Sequence, residues 1–248
     1  MVTGIITAAG LGTRSGLDGK FRKELLPIYD KIDNRLVLRP VIDVVYRRLR
    51  EYGCEKTIIV LDPADRMSRL YVESNFENFE IVFQEEKRGF GNAVYIASQA
   101  AGSSDFVLNA GDGVISTSSY YEKICKSKST NLNIFRVDHP EKYGNAVLDE
   151  VNKTVIEVVE KPQHPKSNFA IAALYFFKND FVHFLDQHTI ELTDSINNYI
   201  KAGNRVSYNI IDRNEWISIG RKEEYFKVLE RSFINNNTEK KLAILHNF

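Results

Sequence analysis

A run of small residues near the start of the chain has the composition of a phosphate-binding loop. It consists of Ala8, Ala9, Gly10, Leu11, Gly12, Thr13 and Arg14. Small residues let backbone amides approach a polyphosphate closely, and an arginine adds a charged donor for phosphate oxygens. No third glycine completes a G-x-G-x-x-G pattern, and no Gly-Lys-Ser/Thr triplet completes a P-loop. The run indicates either a phosphate site of a different type or a glycine-rich connector that binds nothing.

Further charged residues lie where a ligand could bind. Lys23 lies beside Arg22 in the sequence RKELLP, where the two cations either serve a binding site or form a solvated surface pair. Asp112 follows an apolar segment and lies between two glycines, so it is either at the sheet edge where open α/β sheets bind ligands or part of an Asx-turn. Glu160 and Lys161 place an acceptor beside a cation, either in a binding site or in an exposed turn.

The first half of the chain alternates predicted strands and helices that could hold these residues. Continuous apolar runs predict buried strands at residues 4–8, 57–61, 80–84 and 105–109. Helical spacing predicts helices at residues 41–52, 66–74 and 92–101. Ser119 followed by Glu122 predicts a capping box at the start of another helix. Such alternation is typical of a mostly parallel sheet covered on both faces, with ligands bound beyond the carboxyl ends of its strands.

The pattern changes after residue 131. Strand-like segments occupy residues 132–137, 146–148, 155–159, 170–177 and 206–211. Helix-like segments occupy residues 181–185, 195–201 and 223–233. We expect this half to form a smaller mixed sheet beside the first one, followed by a tail over residues 235–248.

Composition excludes several classes of protein. The chain of 248 residues has 33 Lys and Arg and 33 Asp and Glu, so no global positive field favours a nucleic acid or an anionic membrane as partner. Its two cysteines, Cys54 and Cys125, lack the number and spacing of a disulfide scaffold or a C-x-x-C site. No basic, apolar leader and no membrane-length apolar run is present, and we therefore expect a cytoplasmic protein.

The loop and the RKELLP segment are followed by further motifs in the order of one known family. They are QEEKRGFGNAV at residues 84–94, GD at 111–112, YG at 143–144, EKP, KSN and AALY within 160–175, ELTDSIN at 191–197 and WISIG at 216–220. In this order they resemble the sugar-1-phosphate nucleotidylyltransferases, particularly the bacterial-type glucose-1-phosphate uridylyl- and thymidylyltransferases. The resemblance covers most of the chain.

The resemblance implies an α/β fold, namely a three-layer αβα Rossmann-like fold with a mixed, mostly parallel sheet and a small sugar-binding subdomain. One domain would occupy residues 1–248, with a nucleotide-binding half up to about residue 130 and a sugar-binding half over 131–234. The implied reaction transfers a nucleotidyl group from UTP or dTTP to a sugar 1-phosphate, glucose 1-phosphate above all, and releases pyrophosphate. No nucleic-acid or membrane partner is implied. Cytosine as the base and a homo-oligomeric state both remain open.

The resemblance also implies roles for particular residues. Arg14 and Lys23 are the expected catalytic cations, which neutralise the triphosphate and the departing pyrophosphate. Lys161 is expected to hold the phosphate of the sugar, Glu160 its hydroxyl groups, and Gln84 the edge of a pyrimidine. The full set of expected nucleotide contacts is Ala8, Ala9, Gly10, Leu11, Gly12, Thr13, Gln84, Gly89 and Gly111. The full set of expected sugar-phosphate contacts is Tyr143, Gly144, Glu160, Lys161, Asn168 and Ala172.

The expected metal is Mg²⁺, which members of this family usually hold with two aspartates. Asp112 matches the first, but the WISIG motif places Ser218 where the second is expected. Asp112 together with triphosphate oxygens can still hold Mg²⁺, with Ser218 acting through water. Gly113 and Ala173 are smaller departures from the family pattern. These departures leave open a nucleotide-sugar-binding homologue without turnover, and a dinucleotide-dependent oxidoreductase is a third hypothesis.

Overall fold

The computed structural model describes residues 2–10, 12, 16, 17, 21–220 and 222–237. The first half contains β1 (Val2–Thr7), β2 (Pro27–Ile32), β3 (Arg35–Pro40), α1 (Val41–Glu51), β4 (Cys54–Leu61), α2 (Arg66–Asn75), β5 (Phe79–Phe83), α3 (Phe90–Ala101), β6 (Asp105–Ala110), β7 (Gly113–Ile115) and α4 (Ser119–Cys125). The second half contains β8 (Asn131–Arg136), β9 (Gly144–Asp149), β10 (Thr154–Glu160), β11 (Phe169–Phe177), α5 (Leu192–Lys201), β12 (Ser207–Ile210), β13 (Trp216–Ser218) and α6 (Tyr225–Asn236). Short 3₁₀ turns lie at Lys23–Leu25, Pro140–Lys142, Asn179–Phe184 and Lys222–Glu224.

Nine strands form one sheet in the order β5-β4-β1-β6-β11-β8-β12-β10-β9. The strands β5, β4, β1 and β6 are parallel neighbours, as the pattern of the first half predicts. The expectation of a separate smaller sheet is wrong, because β11 lies antiparallel between β6 and β8 and joins the two halves. Eight of the nine residues of β11 are buried, and such a strand requires neighbours on both edges and cover on both faces.

Helices cover both faces of the sheet and give three layers. Successive residues of β1 point to opposite faces, so that Ile6 joins a core with α1 and α4 while Ile5 joins a core with α3 and α5. In α1 the buried stripe includes Val41, Val45 and Leu49, whose spacing of four residues made this helix predictable. The predicted three-layer α/β fold is confirmed.

Two small ladders lie outside the central sheet, and both were missing from the sequence-based expectation. β2 and β3 form a hairpin closed by Asp33 and Asn34, whose φ values of 46° and 61° suit a type I′ turn. β7 and β13 pair antiparallel and place Ser218 opposite Gly113. The second ladder brings the segment after β6 next to a segment near the end of the described chain, and it contributes to the candidate site.

Two local predictions need correction. The helix α4 begins at Ser119, so Ser119 is not the N-cap of a capping box, and Ser118 before it makes no side-chain capping bond. Residues 181–185 lie mostly in the 3₁₀ turn Asn179–Phe184 instead of an α-helix. In both places the local pattern was compatible with more than one conformation.

The last described helix, α6, is longer than the sequence pattern predicts. It begins at Tyr225 and ends at Asn236, whereas the prediction was 223–233. Residues 238–248 of the predicted tail lie outside the described part of the chain. Within the described part, none of the helices has the length and apolar character needed to span a bilayer.

Candidate active site

The carboxyl ends of the four parallel strands bring the candidate residues of the first half to one edge of the sheet. Ala8 follows β1, Asp62 follows β4, Gln84 follows β5 and Gly111 follows β6. The register of the parallel pairings aligns the carboxyl ends of these strands. This is the edge at which open α/β sheets bind ligands.

The phosphate loop, residues 8–14, is described in part. The described residues are Ala8, Ala9, Gly10 and Gly12, whereas the predicted contacts Leu11, Thr13 and Arg14 lie outside the described part of the chain. Ala8 and Ala9 are buried. Gly12 has a φ of 61°, in the left-handed region that favours glycine. The roles of Leu11, Thr13 and Arg14 stay predictions.

Arg22 is buried and holds the phosphate loop against the end of β4. Its guanidinium donates to the Gly10 carbonyl oxygen at 3.0 Å and to Asp62 Oδ2 at 2.6 Å, and its Nε lies 3.4 Å from Asp65 Oδ2. Lys87 Nζ also lies 2.9 Å from Asp62 Oδ2. The solvated-pair alternative is therefore wrong for Arg22, whose positioning role was not predicted.

Lys23 and Asp112, predicted separately, form an ion pair. Lys23 begins the 3₁₀ turn Lys23–Leu25, and the two side chains keep only 18% and 20% of their surface exposed. Asp112 is positioned by Gly111, whose N–H donates to the Thr7 carbonyl oxygen at 2.9 Å. A Cβ at Gly111 would lie 3.0 Å from that oxygen, so a glycine lets the chain run this close to β1. The structure thus joins a predicted phosphate-binding cation to a predicted metal-binding acid.

Glu24 is an acid of this site that the sequence analysis missed. Only 2% of the residue is exposed, and no described group forms a hydrogen bond with its Oε2. Burial, reinforced by the negative charge of Asp112, raises the pKa of Glu24 from 4.5 to about 8. The available signal was its position in the RKELLP motif, directly after Lys23 and before two leucines.

Gln84, the predicted base-reading residue, is buried at the end of β5. Its side-chain N–H groups donate to the Gly89 carbonyl oxygen and to Asn92 Oδ1, both at 3.0 Å. Gly89 has a φ of 115°, and a Cβ there would lie 2.5 Å from the Ile190 carbonyl oxygen, so this turn requires glycine. With both amide hydrogens used, the side-chain oxygen of Gln84 is the group that remains to accept a hydrogen bond.

The pairing of β9 with β10 brings four predicted sugar-phosphate contacts together. Gly144 lies opposite Glu160, and a Cβ at Gly144 would lie 3.2 Å from Glu160 Oε2. The Lys161 N–H donates to the Tyr143 carbonyl oxygen at 3.1 Å. The Lys161 ammonium forms an ion pair with Glu160. An acceptor, a cation and an aromatic ring are therefore clustered, which is the composition that a sugar phosphate requires.

The remaining two predicted sugar-phosphate contacts lie elsewhere. Asn168 is exposed, and its side-chain oxygen accepts a hydrogen bond from Arg136 Nη1 at 3.3 Å. Ala172 is buried in β11, where it pairs with Asn133. Neither residue lines the two cavities described below. Their assignment stays a prediction.

The β7–β13 ladder places Ser218 next to Asp112. Ser218 pairs with Gly113, and the Ile219 N–H donates to the Asp112 carbonyl oxygen at 2.9 Å. The Trp216 ring occupies the space that a side chain at Gly113 would need, with ring carbons 2.5 and 2.6 Å from a Cβ built there. Packing against Trp216 therefore accounts for glycine at position 113.

Two acids close to Trp216 in sequence lie outside this cluster. Glu215 accepts a hydrogen bond from the Thr117 hydroxyl at 2.6 Å. Asp212 and Glu215 both line a separate surface depression beside α4. Neither carboxylate lies at the position where the family usually has its second aspartate.

Two cavities meet at Lys23 and Asp112, which line both. The loop cavity, of about 390 Å³, lies over the phosphate loop, and its other lining residues include Gly10, Gly12, Glu24, Gln84, Lys87 and Gly89. The ladder cavity, of about 440 Å³, lies beside β13, and its other lining residues include Tyr143, Lys161, Arg213, Trp216, Ser218 and Arg231. Two ligands bound in these cavities would therefore meet at one lysine and one carboxylate.

The charges of the two cavities differ. Among the described residues that line the loop cavity, two cations, Lys23 and Lys87, accompany two acids, Glu24 and Asp112. In the ladder cavity the cations are Lys23, Lys142, Lys161, Arg213, Lys227 and Arg231, and the acids are Asp112 and Glu224. Burial, and after it the nearby charge of Arg213, lowers the pKa of Arg231. Such an arrangement can bind two phosphorylated ligands and neutralise the charge between them.

Comparison with known proteins identifies the family. The sequence pattern described as nucleotidyl transferase matches residues 3–233. A glucose-1-phosphate thymidylyltransferase of Neisseria gonorrhoeae is 29% identical over 236 residues, which cover 89% of this chain and 78% of that protein. A UTP–glucose-1-phosphate uridylyltransferase of Staphylococcus saprophyticus is 27% identical over 251 aligned positions, which cover 83% of each chain.

Solved structures agree on the fold. A UDP-glucose pyrophosphorylase from Acinetobacter baumannii matches with a TM-score of 0.75 and 23% identity, and the match covers all of both chains. The family match over residues 3–233 displaces the hypothesis of a dinucleotide-dependent oxidoreductase. The chain belongs to the nucleotidyl transferase family and, within it, to the sugar-1-phosphate nucleotidyltransferases.

Proposed function

We propose that this enzyme transfers a uridylyl or thymidylyl group from UTP or dTTP to a glucose-type sugar 1-phosphate, forming a nucleotide sugar and pyrophosphate. The observation that carries the proposal is that Lys23 and Asp112 line both cavities. A reaction between two phosphorylated substrates requires that their phosphates meet at a common set of charged groups. The relatives from Neisseria and Staphylococcus, named for thymidylyl and uridylyl transfer to glucose 1-phosphate, support the choice of substrates.

The loop cavity is the proposed nucleotide site. The described backbone at Ala9, Gly10 and Gly12 and the Lys23 ammonium suit a triphosphate, because amides and a cation together neutralise its charge. Uracil and thymine both present an N–H donor between two carbonyl oxygens. The free acceptor of Gln84 supports the recognition of that donor. A base with this edge is therefore favoured over cytosine, whose neutral ring lacks the N–H.

The ladder cavity is the proposed site of the sugar 1-phosphate. Lys161 would hold its phosphate, and Glu160 would accept hydrogen bonds from sugar hydroxyls. Both residues are positioned by backbone contacts between β9 and β10 rather than by a flexible loop. The Tyr143 and Trp216 rings in the lining suit the apolar face of a sugar ring.

In the proposed reaction, an oxygen of the sugar phosphate attacks the α-phosphorus of the triphosphate. A bond forms between that oxygen and the α-phosphorus, the bond from the α-phosphorus to the oxygen bridging to the β-phosphorus breaks, and pyrophosphate leaves with the electron pair. Two polyanions must be held together against their repulsion, so positioning and charge neutralisation supply most of the catalysis. Lys23 lies where both substrates would meet and would neutralise the reacting phosphates.

Asp112 and Glu24 would hold the Mg²⁺ ion. Among the described residues no cluster of three or more His, Cys, Asp or Glu side chains is present, so phosphate oxygens and water would complete the coordination. The buried Oε2 of Glu24, which lacks a hydrogen-bond partner, fits a cation and supplies a second carboxylate where Ser218 supplies none. When bound, Mg²⁺ would neutralise phosphate charge and polarise the α-phosphoryl group.

The test is pyrophosphate release by the purified protein with a sugar 1-phosphate, UTP or dTTP, and Mg²⁺ or Mn²⁺. We expect release to require both substrates and the divalent ion. Mixtures without the sugar phosphate control for simple hydrolysis of the triphosphate. Nucleotide binding without pyrophosphate release, for every sugar 1-phosphate and both metals, would contradict the proposal and favour a binding homologue without turnover.

A further inference from the structure

The ladder cavity has a strong excess of positive charge among its described lining residues. Of these, six are cationic and two are acidic. The chain as a whole has no net charge, so this concentration is local. Cations gathered in one cavity favour the binding of anions.

Two of these six cations form an ion pair with a described carboxylate, and four do not. Lys23 pairs with Asp112, and Lys161 pairs with Glu160. The cations that form no ion pair with a described carboxylate are Lys142, Lys227, Arg213 and Arg231. The two lysines of this group are exposed and hydrated, whereas the two arginines are only partly exposed. Two half-buried guanidinium groups therefore form no ion pair with a described carboxylate, although Asp112 and Glu224 line the same cavity.

Both arginines line the ladder cavity, which is the proposed acceptor site. The guanidinium carbon of Arg213 is 5.1 Å from the centroid of the Phe135 ring, and Phe135 contacts Tyr143 edge-on at 5.8 Å between centroids. Arg213 also donates to the Trp216 carbonyl oxygen at 3.3 Å. Both guanidinium groups line the same cavity, and after burial the charge of Arg213 is the next largest cause that lowers the pKa of Arg231. A ligand anion between them would relieve this repulsion.

We propose that the sugar 1-phosphate used by this enzyme carries a second anionic group, a carboxylate or a phosphate on the sugar, and that Arg213 and Arg231 bind it. This inference rests on the proposed function and specifies its acceptor. The planar fork of arginine matches two oxygens of a carboxylate or a phosphate. In this arrangement Lys161 still binds the 1-phosphate. Glucose 1-phosphate, whose sugar is uncharged, would place no second anion beside the two guanidinium groups, and a sugar with a cationic amino group would be repelled.

The experiment compares kcat/KM for glucose 1-phosphate, glucuronic acid 1-phosphate and glucose 1,6-bisphosphate with UTP and with dTTP. We expect at least one acidic acceptor to exceed glucose 1-phosphate by about tenfold or more, because a charge-assisted hydrogen bond to a half-buried arginine is lost with the neutral sugar. The better of the two acidic acceptors identifies the second group as carboxylate or phosphate.

The variants Arg213→Gln and Arg231→Gln test the assignment to these two residues. We expect each to lower the ratio of acidic to neutral acceptor towards one and to leave the KM for the nucleotide unchanged. Arg66→Gln is the matched control, because Arg66 is an exposed arginine of α2 that lines neither cavity and forms no ion pair with a described residue. Its acceptor ratio should equal that of the unmodified protein.

Failure of this inference can be separated from failure of the proposed function. If glucose 1-phosphate is used as well as or better than both acidic acceptors, the inference is wrong while the proposed function stands. It is also wrong if the Gln variants reduce all acceptors equally or raise the KM for the nucleotide. If no acceptor releases pyrophosphate, the proposed function fails, and calorimetric titration of the protein decides the inference alone. Tighter binding of an acidic sugar phosphate than of glucose 1-phosphate supports it, and equal binding overturns it.

Discussion

The loop cavity and the ladder cavity share Lys23 and Asp112 but are built differently. Backbone turns after parallel strands form much of the loop cavity, and its described acidic and basic side chains are equal in number. Long side chains from β13, α6 and the turns beside β9 and β10 line the ladder cavity, and most of its charged groups are cations. Recognition by backbone depends little on which side chains are present, whereas recognition by side chains changes with each substitution. The comparison therefore suggests a constant nucleotide site joined to an acceptor site that sets specificity.

The residues around the two cavities also differ in how well they tolerate substitution. Around the loop cavity, buried Arg22 and the glycines at positions 89 and 111 leave little room for change. In the ladder cavity, Arg213 and Arg231 are partly exposed and can be replaced at low cost to the fold. Substitutions should accordingly separate into those that affect both substrates, those that affect the nucleotide alone and those that affect the acceptor alone.

The largest effect should come from Lys23, which belongs to both cavities. Lys23→Ala should lower kcat by about 10³-fold or more, because a preorganised positive charge near the reacting phosphates is lost. Pyrophosphate release measures this, and an unchanged melting temperature would show that the fold is retained. Lys87→Ala is the control, since Lys87 lines the loop cavity alone and should have a smaller effect, confined to the nucleotide. A variant Lys23→Ala with near-normal turnover would remove the central residue of the proposal.

A somewhat smaller loss should follow from Asp112→Asn, the second shared residue. We expect about a 10²-fold decrease in activity, together with weaker binding of Mn²⁺ in the presence of nucleotide, followed by electron paramagnetic resonance. Asp212→Asn, an exposed acid in the separate depression beside α4, serves as the control and should change neither property. Unchanged Mn²⁺ affinity in Asp112→Asn would refute its assignment as a metal ligand.

Glu24→Gln should change the pH dependence of stability. The pKa of Glu24 is raised from 4.5 to about 8 in the folded protein, so between these values the folded state binds a proton that the unfolded state has lost. Stability of the unmodified protein should therefore fall as the pH rises from 5 to 8. Since Gln cannot ionise, the variant should be more stable than the unmodified protein by about 3 kcal/mol at pH 8 and similar to it at pH 5.

Urea denaturation without metal or nucleotide measures this difference. Glu80→Gln, at a residue that forms an exposed ion pair with Lys56, is the control and should show little change between the two pH values. A Glu24→Gln variant with the same stability difference at pH 5 and pH 8 would contradict the raised pKa. Its weaker binding of Mn²⁺ with nucleotide would support Glu24 as the second carboxylate.

The smallest effect should be confined to the loop cavity. Gln84→Ala should raise the KM for the nucleotide by about tenfold, through loss of one hydrogen bond to the base, and should leave the KM for the acceptor unchanged. Asn92→Ala is a matched control, because it removes the partner of the Gln84 amide and leaves the proposed acceptor oxygen in place. If both variants raise the nucleotide KM equally, the role of Gln84 is to brace the turn at Gly89 and not to read the base.

The parts of the fold that repeat a simple pattern were predictable. A continuous apolar run marked β4, and four-residue spacing marked α1. The position of β11 was not predictable, because the pairing of Leu174 with Asn109 depends on residues far apart in the chain. The β2–β3 hairpin was missed although Asp33 and Asn34 suit its turn, since its outer strand exposes Leu38 and lacks a buried face.

For the candidate site, motifs identified single residues but not their partners. Lys23, Asp112 and Lys161 were identified through the family motifs that contain them, whereas their ion-pair partners became visible only in the structure. The ion pair between Arg22 and Asp62 joins residues 40 positions apart, and no local pattern predicts it. Burial of Glu24 was hidden for the same reason, because it depends on the approach of the segment after β6.

The β7–β13 ladder has a consequence for the order in which the protein matures. Strands β1, β4, β5 and β6, which support the loop cavity, pair within the first 110 residues of the chain. The ladder joins residue 113 to residue 218, so it cannot form until nearly twice that length of chain has been synthesised. During synthesis from the N-terminus, the nucleotide side can therefore take shape while the acceptor side still waits for β13. The nascent enzyme would form its nucleotide site first and the site that selects the sugar last.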